Sequence, residues 1–195
     1  SVSSSCGFAQ ATDQKVVSFI GDSTFFHSGI TGLINAVHNN HKFTLVILDN
    51  GTTAMTGHQP HPGVDTEPLG VERTRVSIEG VVRGCGVEDL HVVQPFKVKK
   101  TIEAVKASMA FDGISVIVSR EYCPLFARAI GERKRTRPFH VNLNKCKDHR
   151  LCINQLACPA MYLDGDKVAI DKNLCTGCSV CAQICPENAI LPVKE

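Results

Sequence analysis

Residues 175–186 read CTGCSVCAQICP, and this string constrains the chain more than any other. The spacing Cys175-x2-Cys178-x2-Cys181-x3-Cys185-Pro186 wraps a [4Fe–4S] cluster: three thiolates on one tight loop face three irons of the cube, and the following Pro directs the fourth Cys away. Where two clusters share a module, that fourth Cys ligates the other cluster, so the string predicts a partner motif. Residues 146–159, CKDHRLCINQLACP, supply one with a departure: Cys146-x2-His149-x2-Cys152-x5-Cys158-Pro159. Crossing the ligands puts Cys158, Cys175, Cys178 and Cys181 on one cluster, and Cys146, Cys152 and Cys185 on the other. His149 stands where a second cysteine belongs, which leaves three readings open: a ring-nitrogen ligand, a three-iron cluster, or an empty site. An imidazole ligand raises the reduction potential, as replacing thiolate by neutral nitrogen does in Rieske centres. A zinc ribbon needs two Cys pairs and has no use for seven cysteines with Pro after each fourth one.

Seven of the ten cysteines lie beyond residue 135, and only Cys6, Cys85 and Cys123 lie before it. Nothing at the start reads as a signal peptide, so metal rather than a disulfide framework is the reading, with the three scattered thiols as small buried hydrophobes. The 21 basic and 19 acidic side chains give a net charge of +2, which argues against a nucleic-acid footprint or a polybasic membrane anchor. No stretch approaches the roughly 20 apolar residues of a membrane span, and a cytoplasmic location is expected. With 195 residues, the chain is expected to hold a domain at 1–135 and a smaller one at 136–195, joined through the basic run ERKRTRP (132–138) read as a solvated hinge. So small a second domain needs metal staples in place of a large core.

The first part alternates. Strands are expected at 15–21, 43–49, 91–96 and 114–119, and helices at 23–40, near 71–84 and near 98–110. In the first helix Phe26, Ile30, Leu33, Ile34 and Val37 recur at helical spacing behind a Ser23 or Thr24 cap. Strands alternating with helices imply right-handed crossovers and a mostly parallel, doubly wound α/β sheet. The cysteine-rich part reads as a two-cluster α+β module.

Gly21-Asp22-Ser23 closes the first strand and Asp49-Asn50 the second, and the stretch from Asp22 to Asn50 is a comfortable length for a helix, a strand and two turns. Parallel neighbours would bring both tips to the carboxyl edge of the sheet, where open α/β folds bind ligands. A helix N-terminus at Ser23–Thr24 suits a phosphate. Asp22, the Asn50 amide oxygen and a carbonyl near Thr52 are hard donors appropriate to Mg²⁺. Together at that spacing these favour a thiamine diphosphate site. The chain carries neither G-x-G-x-x-G after a strand nor G-x-x-x-x-G-K-[ST], so dinucleotide and P-loop sites lose their main support. The loop over 50–70 exceeds ordinary connection length and so suggests function. On it His58 is a candidate to face the cofactor or substrate, and His61 a weaker one.

GDSTFFHSGITGLINAVHNN followed by LDNGTTAMTGHQPHPG resembles the thiamine-binding stretch of the indolepyruvate ferredoxin oxidoreductase alpha subunit family, and the resemblance continues to the terminal cysteines. It implies thiamine diphosphate cradled at Gly21, Asp22, Ser23, Thr24, Asn50 and Thr52. It further implies Mg²⁺ on Asp22, Asn50 and the Thr52 carbonyl, and two [4Fe–4S] clusters in a ferredoxin module. The family places Cys where this chain has His149. Family chains are longer, and this sequence begins SVSSSCGFAQ close before the first strand, so it reads as a carboxyl-terminal part or a separately encoded piece. The Glu that activates the aminopyrimidine belongs to the upstream domain, and no catalytic base is nominated.

The resemblance implies oxidative decarboxylation of an arylpyruvate such as indolepyruvate to an aryl-acetyl-CoA. Coenzyme A accepts the acyl group, ferredoxin accepts the electrons, and a beta subunit completes the enzyme. Two other readings stay open: an electron-transfer subunit with a vestigial thiamine site, and the same chemistry on pyruvate or another aliphatic 2-oxoacid.

Overall fold

A computed structural model describes residues 1–65, 72–132 and 137–193. The chain divides into two compact units, Ser1–Arg133 and Lys134–Glu195. The expected boundary at 135 and most of the basic run fall outside the described residues, as does residue 71, the expected start of the second helix, which in the structure begins at Ile78.

In the first unit the helix α1 (Val2–Ala11) leads into strand β1 (Val17–Gly21). A continuous helical run follows, made of an α-turn α2 (Asp22–Thr24), a π-helical segment (Phe25–Gly29) and α3 (Ile30–His38). Then come β2 (Thr44–Asp49), a 3₁₀ turn (Ala54–Thr56), α4 (Ile78–Gly84), β3 (Asp89–Val93), α5 (Val98–Ala110), β4 (Ser115–Arg120) and α6 (Pro124–Ala129). The four strands form one all-parallel sheet in the order β1-β2-β4-β3. Period-two alternation sends Leu45, Ile47, Val116 and Val118 to one face, where they bury against Phe25, Leu33, Ile78 and Val82 from the helices. Val46, Ile117 and Val93 point the other way and pack on Ala104 and Val105 of α5. Helices thus lie on both faces, the doubly wound arrangement expected from the alternation.

The sequence expectation differs from the structure at several ends. The strand expected at 91–96 runs over Asp89–Val93, because Pro95 cannot donate to the ladder. The helix expected from 23 begins at Asp22, with Gly21 rather than Ser23 or Thr24 as its cap. The π segment places Gly29 where a Cβ would meet the Phe25 ring at 2.9 Å and Ile20 at 3.0 Å, so Gly there lets the widened turn seat a fully buried Phe25 against β1. Such segments recur at functional sites. This one lies next to Asp22.

The second unit holds β5 (Phe139–Val141), α7 (Leu151–Asn154), β6 (Met161–Asp164), β7 (Lys167–Ile170), α8 (Val180–Ile184) and β8 (Ile190–Pro192). Strand β6 pairs with β7 as an antiparallel hairpin, and β5 with β8. The order strand, cysteine loop, helical turn, strand therefore occurs twice, each copy pairing with the other. Ala160, Val168, Cys181, Ala189 and Ile190 are its buried apolar side chains, a small core as its length dictates. Among the described residues no helix is long and apolar enough to cross a membrane.

Candidate cofactor and iron–sulfur sites

Register brings Gly21 opposite Leu48, and Asp49 opposite Arg120, so the ends of β1, β2 and β4 meet on one edge of the sheet. There Asp22 is buried to 2% exposure. Its Oδ2 accepts from the backbone N–H of Asn50 (3.0 Å) and of Gly51 (2.9 Å), and its Oδ1 from Ser23 N–H (2.8 Å). The first two bonds tie the tips of β1 and β2 together, which is the juxtaposition that the spacing of Asp22 and Asn50 calls for. Gly51 lies at φ +75°, and a Cβ on it would meet the Tyr122 ring at 2.6 Å, so this position excludes side chains on two grounds. Asn50 Oδ1 accepts from Thr52 N–H (3.1 Å), the Thr52 carbonyl accepts from Ala54 N–H (3.0 Å), and Thr53 Oγ1 donates to Ser23 Oγ (2.9 Å). Asp22, Ser23, Asn50 and Thr52 are therefore brought together.

His61 joins them. Its side chain is fully buried, with Nε2 3.1 Å from Asp22 Oδ2 and out of line for a full hydrogen bond. Gly63 N–H donates to Nδ1 at 3.1 Å, so the neutral ring carries its proton on Nε2, facing the carboxylate. Among the described residues no Lys or Arg pairs with Asp22. A buried carboxylate with N–H donors but no strong cationic partner calls for a cation. The oxygens of Asp22, Asn50 and Thr52 each keep acceptor capacity, and their chemistry fits Mg²⁺ with a phosphate at the helix start. His58 lies elsewhere: at φ +63°, it stacks on Phe126 with centroids 6.5 Å apart, its Nδ1 buried without a partner among the described residues. Of the two histidines, the sequence favours the one that does not meet Asp22. The signal available for His61 is its setting, Pro60-His61-Pro62, which stiffens the backbone on both sides.

A cleft of about 490 Å³ opens on the same edge, lined by Asp49, Gly51, Gln94, Arg120, Tyr122 and Phe126 among others. Arg120 spans it from β4. Its Nε donates to buried Asp49 (2.6 Å), and Nη1 and Nη2 grip Glu79 at 2.8 and 3.0 Å. Sequence reasoning misses this cation, since its partners lie 71 and 41 residues away. Hydrogen bonding from Arg120 holds the Glu79 carboxyl down to about 2 against an ordinary 4.5. A folded-state value below the unfolded one means stabilisation that is complete above about 4.5 and lost as pH falls toward 2. Glu79→Gln is expected to remove that acid-side dependence, seen as a flatter fall in urea midpoint between those pH values than in the parent. An unchanged slope would show that the pair carries no linkage.

In the second unit the cysteine neighbours of Cys181 and of Cys152 follow the two crossed sets. Burial pushes the Cys181 thiol up to about 11, with Cys178, Cys175 and Cys158 adding repulsion from close by. Burial also raises Cys152, whose cysteine neighbours are Cys185 and Cys146. Cys146, Cys152 and Cys185 line one small cavity together with His149, Leu151 and Pro186. Backbone N–H groups of Phe139 and Ala189 donate to the sulfurs of Cys175 (3.3 Å) and Cys185 (3.4 Å), the kind of bond that tunes cluster potential. No disulfide joins any of the ten cysteines.

A parallel sheet with a buried carboxylate at its carboxyl edge, followed by a cysteine module, defines the class, and residues 1–119 match the family described as "Thiamine pyrophosphate enzyme, C-terminal TPP binding domain". The chain belongs to that family. Residues 168–191 match a 4Fe-4S binding domain. Over 192 residues, 98% of this chain, it is 48% identical to indolepyruvate oxidoreductase subunit IorA of Methanothermobacter marburgensis. It is 47% identical over 196 residues to the protein of the same name from Archaeoglobus fulgidus. The chain spans 30% and 31% of the lengths of these relatives. A structure of 2-oxoglutarate:ferredoxin oxidoreductase from Magnetococcus marinus shares the fold, with a TM-score of 0.58 at 23% identity over 64% of this chain and 45% of that one.

Proposed function

We propose that the chain is the diphosphate-holding and electron-transferring part of a thiamine diphosphate-dependent 2-oxoacid:ferredoxin oxidoreductase. Its substrates are arylpyruvates, which are oxidatively decarboxylated to aryl-acetyl-CoA. Residues 1–135 form the cofactor domain and 136–195 the ferredoxin-type domain. The observation that carries this reading is the presence, in one chain, of a buried Asp22 bonded to the N–H groups of Asn50 and Gly51 and of the Cys-x2-Cys-x2-Cys-x3-Cys spacing at 175–185, with Cys146, Cys152 and Cys185 around one small cavity. A simple decarboxylase has no use for the second feature.

When bound, thiamine diphosphate supplies the electron sink for decarboxylation. The chain's own residues hold and orient. Asp22, Asn50 and the Thr52 carbonyl offer oxygens to Mg²⁺, Gly21, Ser23 and Thr24 offer the helix start to the diphosphate, and buried His61 steadies the Asp22 carboxylate. Cys158, Cys175, Cys178 and Cys181 hold a [4Fe–4S] cluster on the path to ferredoxin, and Cys146, Cys152 and Cys185 hold a second. Coenzyme A takes the acyl group, and a beta subunit and further polypeptide complete the active site. The two relatives, each named as a subunit of indolepyruvate oxidoreductase, support the choice of arylpyruvates.

The test is anaerobic reduction of a low-potential dye by the complete enzyme with coenzyme A. Indolepyruvate, phenylpyruvate, pyruvate and 2-oxoglutarate are assayed in parallel. Turnover confined to the two arylpyruvates is expected. Turnover on an aliphatic acid keeps the chemistry and discards the substrate class. No turnover despite intact clusters would leave an electron-transfer subunit with a vestigial thiamine site.

A further inference from the structure

The two halves of the second unit repeat at a constant offset: 146 to 175, 149 to 178, 152 to 181. The backbone repeats with them. Arg150, the residue before α7, lies at φ +57°, and Ser179, before α8, at φ +64°. Asp148 at φ +56° matches Gly177 at φ +72°. Left-handed conformations are costly for a residue with a side chain, yet the first loop keeps two of them without a glycine. It holds them with a clasp: the Arg150 guanidinium bonds Asp148 Oδ2 at 3.0 and 3.1 Å across the intervening residue, and the Asp166 carbonyl at 3.0 Å. That intervening residue is His149. It occupies the backbone position that Cys178 occupies in the other loop.

Its side chain is also placed. His149 lines the cavity formed by Cys146, Cys152 and Cys185, and its Nε2 lies 2.9 Å from Glu187 Oε1. Lys147 Nζ holds the other oxygen of Glu187 at 3.3 Å. One ring nitrogen on a carboxylate, with the other left for metal, is the pattern of ligating histidines.

We propose that His149 is the fourth protein ligand of the iron–sulfur cluster held by Cys146, Cys152 and Cys185, bound through Nδ1, with Glu187 as its positioning residue on Nε2. This rests on the reading of the second unit as a two-cluster module. A neutral nitrogen in place of a thiolate leaves the cluster one negative charge poorer, so it accepts an electron more readily than its neighbour. The cluster at Cys146 is therefore the one reduced first.

The experiment is pulsed EPR and a redox titration of the complete enzyme, purified anaerobically and assayed for iron. Expected are about eight irons per chain, as two four-iron clusters require, and a directly bound ¹⁴N coupling on the cluster that reduces first. His149→Cys should abolish the coupling and lower that cluster's midpoint potential while keeping iron bound. Glu187→Gln, which keeps an acceptor for Nε2, should retain the coupling, whereas Glu187→Ala should weaken it or shift the potential. Two clusters without a nitrogen coupling, or a potential unmoved in His149→Cys, would overturn the histidine ligand and leave the two-cluster reading standing. About four irons per chain, a single cluster, would overturn both.

Discussion

Asp22→Asn in the complete enzyme is expected to weaken Mg²⁺-dependent binding of thiamine diphosphate by about a hundredfold or more, on the scale seen when metal-site residues are changed. The substitution keeps one oxygen to accept from Asn50 or Gly51, so the tie between β1 and β2 survives in part while the charge is lost. Two consequences then separate. Cofactor affinity, read by titration calorimetry, falls steeply. Folding is little harmed, because removing a buried, weakly compensated charge offsets a weakened hydrogen bond. Asp22→Ala behaves differently: it strips the acceptor from three backbone N–H groups, and each buried group left unpaired costs about 1–3 kcal/mol. Unchanged affinity in Asp22→Asn would remove this carboxylate from the metal site.

Cys178→Ala should cut substrate-driven dye reduction by the complete enzyme by about a hundredfold or more, since losing a direct ligand should cost at least as much as the roughly 10–100-fold typical of outer-shell partners. Bound thiamine diphosphate should stay at its parental level, since Cys178 and Asp22 belong to different compact units. The paired measurement matters, because a small metal-stapled unit that loses a staple can unfold. Cofactor retention with failed electron delivery assigns the defect to the second unit. Full dye reduction by the variant would mean that electrons leave by a route that bypasses this cluster.

Much of the fold and of both sites is legible in local patterns. Short apolar, β-branched runs such as FTLVILD commit to strands whatever their neighbours do, and the tips of two neighbouring parallel strands must share an edge. The Cys-x2-Cys-x2-Cys spacing speaks for itself. What escapes is whatever depends on distant partners. Helix α1 opens Val-Ser-Ser-Ser, a weak helix former, and its place comes from Val2 packing where Gly32 of α3 leaves room, a Cβ there meeting Val2 at 3.1 Å. Arg120 ends a strand as an unremarkable charge until the register sets it beside Asp49. His61 reaches Asp22 only after a loop that turns through left-handed Gly57 and His58, and no periodicity encodes such a path.

The crossing of the cysteines also dictates an order of construction. Cys158, Cys175, Cys178 and Cys181 are all present once the chain has been made to residue 181, whereas Cys146 and Cys152, translated earlier, wait for Cys185. The half that begins first is finished last. During synthesis two early thiols therefore stand without their third partner until residue 185 is made, and β8 then follows and pairs with β5. If the crossed sets hold clusters, the set of Cys158, Cys175, Cys178 and Cys181 is the first whose four thiols are all present in the growing chain.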